Sequence, residues 1–371
     1  MMKKIDLGGV WKFKWDSEQR IRFQDIQEDF SWSSMVLPQN WYKGGLEIKG
    51  GVVWFRRRVK IPAEWQGKEI ILTFRGVDYA CEVWVNQQRV GQHEGYFQPF
   101  DFVITPYVLF DQENIITVKV VSPYENPQTD WPANKKLIKG IFNHHDARPG
   151  GWEVDKGQDK NTGGIWNQVW IEAKEKARLK RVMVTPIILP ENNQAILKIK
   201  ILLENFQVYP QYLNLKLIIA GYNFEIKEPL TIRKAVLLER GKQEFTIIKR
   251  VSDIRLWWCW DQGFPHLYYL RVFLEKEGQI IDETELRFGI RKIELKENKQ
   301  WWLNNRRIFV RGSNIIPTQW LSEYTQERIQ QDLKLVKEAN LNALRVHALS
   351  LIHISEPTRP LYISYAVFCL K

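Results

Sequence analysis

The sequence predicts a mostly β chain: a sandwich or jelly roll, then an immunoglobulin-like β-sandwich, then the opening of a parallel α/β fold. Three observations carry this. Residues 1–176 read as short strands split by turn signals with almost no helical periodicity. Residues 177–289 hold about seven more strand candidates, the count of an immunoglobulin-like sandwich. After Arg291 the pattern changes to strand, helix, strand, which opens a parallel α/β fold.

In the first block, Val52 to Ile61 is an apolar and basic run closed by Pro62, and Glu69 to Phe74 follows a Gly67-Lys68 turn. Cys81 to Val85 alternates sides, and Asn86-Gln87-Gln88 leads into Arg89-Val90-Gly91 as a hairpin signal. Ile115 to Val121 is β-branched, and Ile165 to Ile171 closes the block. Between Ser122 and Gly164 lies a segment rich in Pro, Gly, Asn and Asp, of a length that marks functional or disordered loops.

In the second block the candidates are Arg181–Pro186, Ile196–Leu203, Leu213–Ala220, Ala235–Leu238, Glu244–Ile248, Leu267–Phe273 and Glu283–Phe288. In the third, Arg307 to Gly312 reads as a buried strand. Thr325 caps a helix with apolar positions Ile329, Leu333, Val336 and Ala339, and Asn342 to His347 reads as the next strand.

Composition excludes several classes. The chain has 371 residues, 44% hydrophobic and 26% charged, ordinary values for a globular protein of two to three domains. No run reaches the roughly 18 apolar residues of a membrane span, and Met1-Met2-Lys3-Lys4 is followed by no apolar leader. Cys81, Cys259 and Cys369 are too scattered for a disulfide framework, so a reducing, cytoplasmic setting is expected. The net charge of +11 comes from basic residues spread along the chain, with no docking element for nucleic acid. A solvated surface is the simpler reading.

Longer words in the sequence resemble the family 2 glycoside hydrolases. Cys81 to Thr105, Trp54-Phe55-Arg56-Arg57 and Thr162 to Ile171 resemble that family's sugar-binding domain. Leu256 to Tyr268 resembles its second-domain signature, and Leu303 to Pro317 with Asn340 to His347 resembles its barrel entry. The resemblance runs over residues 5–348 and implies three domains: a galactose-binding-like jelly roll (1–176), an immunoglobulin-like sandwich (177–289) and the truncated start of a TIM barrel (290–348). Gly312 to Pro317 looks closer to the β-mannosidase branch than to the β-galactosidase or β-glucuronidase branches. Where β-mannosidases carry Trp two residues after the barrel Arg, this chain has His347.

After Ala348 the resemblance stops. Leu349 to Arg359 and Ile363 to Lys371 resemble in-frame translations of a sequencing-library adapter, with Pro360-Leu361-Tyr362 spanning its variable index. Residues 349–371 are therefore read as a non-native tail. Two barrel strands and one helix cannot bury their apolar faces alone, so residues 300–371 are expected to be poorly ordered or aggregation-prone.

The chemistry implied is hydrolysis of O-glycosyl bonds by a retaining exo-β-glycosidase acting on a β-linked saccharide. Such enzymes need two carboxyl groups about 5–5.5 Å apart. The resemblance places both as glutamates on later barrel strands, so no catalytic residue is assigned here. Glu338, on the helix near Lys334 and Lys337, reads as a solvated face.

Four residues are candidates for substrate contact. Arg345 matches a family arginine near the nucleophile, where a guanidinium would orient a carboxylate; a structural ion pair is the competing reading. His347 would lie near the barrel mouth, within reach of a sugar hydroxyl. Asn314 matches a family asparagine, against a turn-forming role. Asp159 lies on the loop expected to reach over the active site, against a plain loop aspartate.

His144-His145-Asp146 offers neither ligand geometry nor a supporting shell, so no metal site is assigned, and no cofactor is expected. Of the 17 tryptophans, Trp84 and Trp170 fall in strand patterns and are read as core, while Trp131 and Trp152 in the long loop are candidates for stacking on sugar. A homo-oligomer is left open. The competing class is a non-catalytic carbohydrate-binding protein built on two sandwiches, for which the barrel entry at Arg307 to His347 has no use.

Overall fold

The computed structural model describes residues 3–26, 31–48, 50–124, 137, 139, 162–189, 193–297, 299–315, 320–346 and 367–369; Leu321, Val346 and 367–369 are described by backbone alone. It divides into two compact units: 1–173 with 314–334 and 345–366, and 174–313 with 335–344 and 367–371.

In the first unit the strands are β1 (Lys3–Asp6), β2 (Gly9–Asp16), β3 (Ser33–Leu37), β4 (Gly51–Lys60), β5 (Glu69–Phe74), β6 (Ala80–Val85), β7 (Gln88–Glu94), β8 (Phe100–Val103), β9 (Glu113–Ser122) and β10 (Val169–Lys174). A six-stranded sheet, β3-β2-β4-β9-β6-β7, and a four-stranded sheet, β1-β10-β5-β8, enclose the core of the jelly roll. Val53 and Phe55 of β4, Val118 and Val120 of β9, and Val83 of β6 bury against Ile70, Leu72 and Phe74 of β5 and Ile171 of β10.

β4 shows why a half-alternating run reads as continuous. Val52, Val53, Trp54 and Phe55 are all buried, but on opposite faces. The odd pair enters the main core, and the even pair joins Trp32 and Trp84 beneath the segment carrying Ile21, Phe23 and Ile26. Trp84 stacks on Phe23 at 4.8 Å, so that outer sheet face is covered rather than wet. Each such ring buries about 150–250 Å², or roughly 4–6 kcal/mol at 25 cal/mol per Å².

The predicted hairpin forms: Asn86 and Gln87 both take positive φ (46° and 72°), as a two-residue I′ turn requires. Ile165 to Ile171 is corrected at its start. β10 begins at Val169, because Ile165 and Trp166 are drawn into a buried loop where Gly164 bridges Asp78. Trp170 is likewise not core; it is half-buried on the outer face of β10, with Lys4 Nζ 3.8 Å over its ring.

All seven strands predicted for the second sandwich are present, each longer than its apolar run: β11 (Ala177–Ile188), β12 (Gln194–Asn205), β13 (Gln211–Gly221), β14 (Leu230–Leu238), β15 (Gly241–Ser252), β16 (Tyr268–Lys276) and β17 (Gln279–Phe288). Sheets β11-β12-β15 and β14-β13-β16-β17 close over Leu197, Ile199, Ile201, Leu215, Leu217, Leu270 and Val272. The buried Asp282 accepts from Lys174 Nζ (2.9 Å) and the Leu179 amide (2.8 Å).

Next come β18 (Ile293–Leu295), β19 (Trp301–Leu303), β20 (Arg306–Ile308), β21 (Gly312–Ile315), α1 (Gln326–Glu338), β22 (Ala343–Val346) and β23 (Val367–Cys369). The expected strand over Arg307–Gly312 is a correction. Asn304 and Asn305, both at positive φ, turn β20 back on β19 in the small antiparallel sheet β18-β19-β20, and the barrel-type strand starts only at Gly312. Phe309 between them is 76% exposed, not buried.

Burial along this region is uneven. Leu303 and Ile308 are buried against Trp257, Cys259 and Leu267, whereas α1 buries no residue and leaves Leu333 and Leu335 exposed. β21, β22 and β23 form one sheet in that order. No helix of the described residues is long and apolar enough to cross a membrane.

Candidate functional site

Two of the four candidate residues meet at the ends of neighbouring strands. Asn314 lies on β21 and Arg345 on β22, and Arg345 Nη1 donates to Asn314 Oδ1 at 3.2 Å. A guanidinium carries five N–H donors in a fixed fork, so a bond to an amide oxygen fixes the plane of the whole group. His347 and Asp159 lie outside the described residues, as do Trp131, Trp152 and His144 to Asp146.

A polar knot fixes where these strands begin. Asp261 Oδ2 accepts from Arg311 Nη2 at 2.7 Å and from Asn342 Nδ2 at 2.9 Å. Asn342, 2% exposed, also accepts from the Arg311 amide at 2.9 Å and donates to the Phe309 carbonyl at 3.0 Å. Arg311 Nε reaches the Asn340 carbonyl, and Trp260 Nε1 donates to the Leu341 carbonyl. Three side chains thus hold the residues just before β21 against those just before β22. A one-residue slip of either strand would turn its side chains to the opposite face.

Sequence reasoning missed Asp261 in this role, although it stands inside the Leu256 to Tyr268 word. Only its bonds to Arg311 and Asn342 reveal the function, and these lie 50 and 81 residues away.

Within the first unit a second constellation joins the jelly roll to the segment after β21. Tyr42 stacks on Trp320 at 5.7 Å and 10° between planes, and Lys43 Nζ pairs with Glu323 Oε1 at 2.7 Å. The sequence offered no spacing that pointed to this. Thr162 and Gly163, in the Thr162 to Ile171 word, are anchored to Trp41 and Tyr42 in a distant part of the sequence, the Gly163 carbonyl accepting from the Trp41 amide at 2.9 Å. Thr162 Oγ1 accepts from the Tyr42 amide, and a Cβ at Gly163 would run into the Trp41 ring. Ser122 Oγ donates to the Thr162 carbonyl (2.7 Å), so both ends of the long loop are pinned in one buried place.

Among the described residues no group of three or more His, Cys, Asp or Glu could hold a metal ion. What Arg345 and Asn314 offer chemically is donor and acceptor capacity at a strand end, the part of a β/α barrel where active sites sit.

The two sandwiches match known domains. Residues 37–131 match the sugar binding domain of family 2 glycosyl hydrolases, and residues 177–291 match a second domain model of glycosyl hydrolases family 2. The chain therefore carries the sugar-binding and immunoglobulin-like N-terminal domains of that family.

Similar proteins bear three different activities in their names. A β-glucuronidase of Formosa agariphila is 24% identical over 90% of this chain and 35% of its own length. A β-galactosidase of Thermoanaerobacter pseudethanolicus is 24% identical over 92% and 41%, and a β-mannosidase of Capra hircus is 27% identical over 76% and 34%. The chain thus spans well under half the length of these relatives. Among solved structures, a β-D-mannosidase of Dictyoglomus thermophilum superposes with a TM-score of 0.72 at 25% identity, covering 93% of this chain and 44% of that one. A Bacteroides uniformis β-glucuronidase does so at 0.71 and 21%, covering 93% and 39%.

Proposed function

We propose that these residues are the non-catalytic front of a retaining exo-β-glycosidase, β-mannosidase-like in specificity, in which they position a β-linked saccharide and do not themselves break its bond. The observation that carries the reading is the pairing of Arg345 with Asn314 at the ends of the first two barrel-type strands. The family resemblance puts an arginine beside the nucleophile there, and a guanidinium held in place by a hydrogen bond is suited to orient a carboxylate. Retention needs two carboxyl groups about 5–5.5 Å apart, and the resemblance assigns both to later strands than β21 and β22. The β-mannosidase preference rests on the Gly312 to Pro317 word; galactoside and glucuronide remain the competing substrates.

Reading the source gene beyond the codon for Ala348 tests this. A continuation with Asn-Glu at a barrel-strand end supports it, and a stop codon at that point contradicts it. For the complete enzyme, proton NMR of the first-formed sugar must show the β-anomer; the α-anomer contradicts the retaining mechanism.

A further inference from the structure

The sheet β11-β12-β15 turns Leu197, Ile199 and Ile201 into the sandwich core and presents its other face to solvent. Side chains alternate along a strand, so the register fixes which residues share that outer face. Lys198 and Lys200 occupy it on the central strand β12. Arg250, on β15, stands opposite Ile196, one row before Lys198. Arg181, on β11, stands opposite Leu202, one row beyond Lys200.

The cations therefore run as a diagonal stripe from one edge of the sheet to the other. With about 3.3 Å of rise per residue and roughly 4.8 Å between strands, the stripe is roughly 22 Å long.

Two carboxylates share the face: Glu204, between Arg178 and Lys242 at one end, pairs with Arg178 at 2.6 Å, and Glu244 shows what the stripe attracts. Glu244, opposite Leu202, accepts from Lys200 Nζ at 2.7 Å. Its carboxyl is held below the usual carboxylate range first by that hydrogen bond, then by the fields of Lys200, Arg181 and Lys198 together. Flanking the stripe on the same face are aliphatic side chains, Ile248 at 68% and Ile187 at 49% exposure. Such groups suit the C–H faces of pyranose rings. No aromatic ring shares these rows, so unpaired nucleobases would find no stacking platform.

We propose that this face is a docking surface for a polyuronate, a polysaccharide carrying one carboxylate per sugar ring. Successive carboxylates would take the places along Arg250, Lys198, Lys200 and Arg181 that Glu244 takes beside Lys200. The choice of a polysaccharide rests on the glycosidase reading; the choice of an anionic one rests on the stripe.

The test is binding of the full chain to polygalacturonate, by affinity electrophoresis and calorimetry, with neutral galactomannan, duplex DNA and phosphatidylglycerol vesicles as comparisons. The expected result is retention by polygalacturonate at low ionic strength and none by galactomannan. Binding should fall at least about tenfold in roughly 1 M salt, where the screening length is about 3 Å. Lys198→Glu with Lys200→Glu should lose at least about tenfold in affinity, and Lys198→Gln with Lys200→Gln a smaller amount. Lys216→Glu, on the other sheet against Phe273, should bind as the unaltered chain does.

Unchanged affinity of both double variants, equal loss in Lys216→Glu, absence of binding, or preference for DNA or vesicles would each overturn the proposal. Binding is read without turnover, so its failure leaves the glycosidase reading standing, and an inactive enzyme leaves this proposal standing.

Discussion

Arg345 and Asn314, 31 residues apart, meet at 3.2 Å across the ends of β22 and β21. The bond gives one guanidinium nitrogen a fixed partner and so limits how the rest of the fork can turn. A charged hydrogen bond contributes about 1.5–3 kcal/mol. In the complete enzyme, Arg345→Ala is therefore expected to lower kcat/KM roughly 10- to 150-fold. Arg345→Lys should recover only part of this, because a lysine lacks the planar fork. Steady-state kinetics on the preferred nitrophenyl glycoside check it; a rate equal to that of the unaltered enzyme contradicts the role.

Asp261 serves Arg311 and Asn342 with a single oxygen. Asp261→Ala leaves the buried Asn342 amide and a partly exposed guanidinium short of an acceptor, a cost of about 2–3 kcal/mol. The amides of Ala343 to Val346 should then exchange hydrogen for deuterium at least about tenfold faster, while those of β5 are unchanged. Uniform exchange in both places would show that the knot does not set the strands.

His93 is half-buried and stacked on Phe100 at 3.9 Å, and burial, the largest influence, lowers its basicity. The unfolded value is about 6.5, so protonation favours the unfolded chain as pH falls through that value. Stability is expected to decline on going from pH 7.5 toward 5 and to level off once the folded imidazole is itself protonated. His93→Gln should flatten that part of the curve in a melting series. An unaltered slope would assign the dependence to other groups.

Cys81 and Cys259 are both buried, and burial pushes the Cys81 thiol up to about 12. Since the thiolate is the reacting form, a Cys369→Ser chain should consume almost no dithiobis-nitrobenzoate at pH 8 until denaturant is added. Rapid release from the folded chain would contradict the burial.

The parts legible in the sequence are those set by local pattern. The Asn86-Gln87 turn and the seven strands of the second sandwich follow from alternation and turn residues. Arg345 and Asn314 were visible as members of family words, but their contact was not. Pairing of residues 31 apart depends on the register of two strands, which no local pattern specifies. The strand expected at Arg307 to Gly312 failed for a related reason. An apolar run reads the same whether one strand or two occupy it, and the Asn304-Asn305 turn committed its first half to β19. Trp170 failed because alternation says that a residue faces one side of a strand, not which side is dry.

The most direct test is to offer purified residues 1–371 nitrophenyl β-mannoside, β-galactoside and β-glucuronide. The account predicts no release of nitrophenol above the buffer rate for any of the three. Saturable release by the chain, lost in Arg345→Ala, would show that it already holds both carboxyl groups and would contradict the reading.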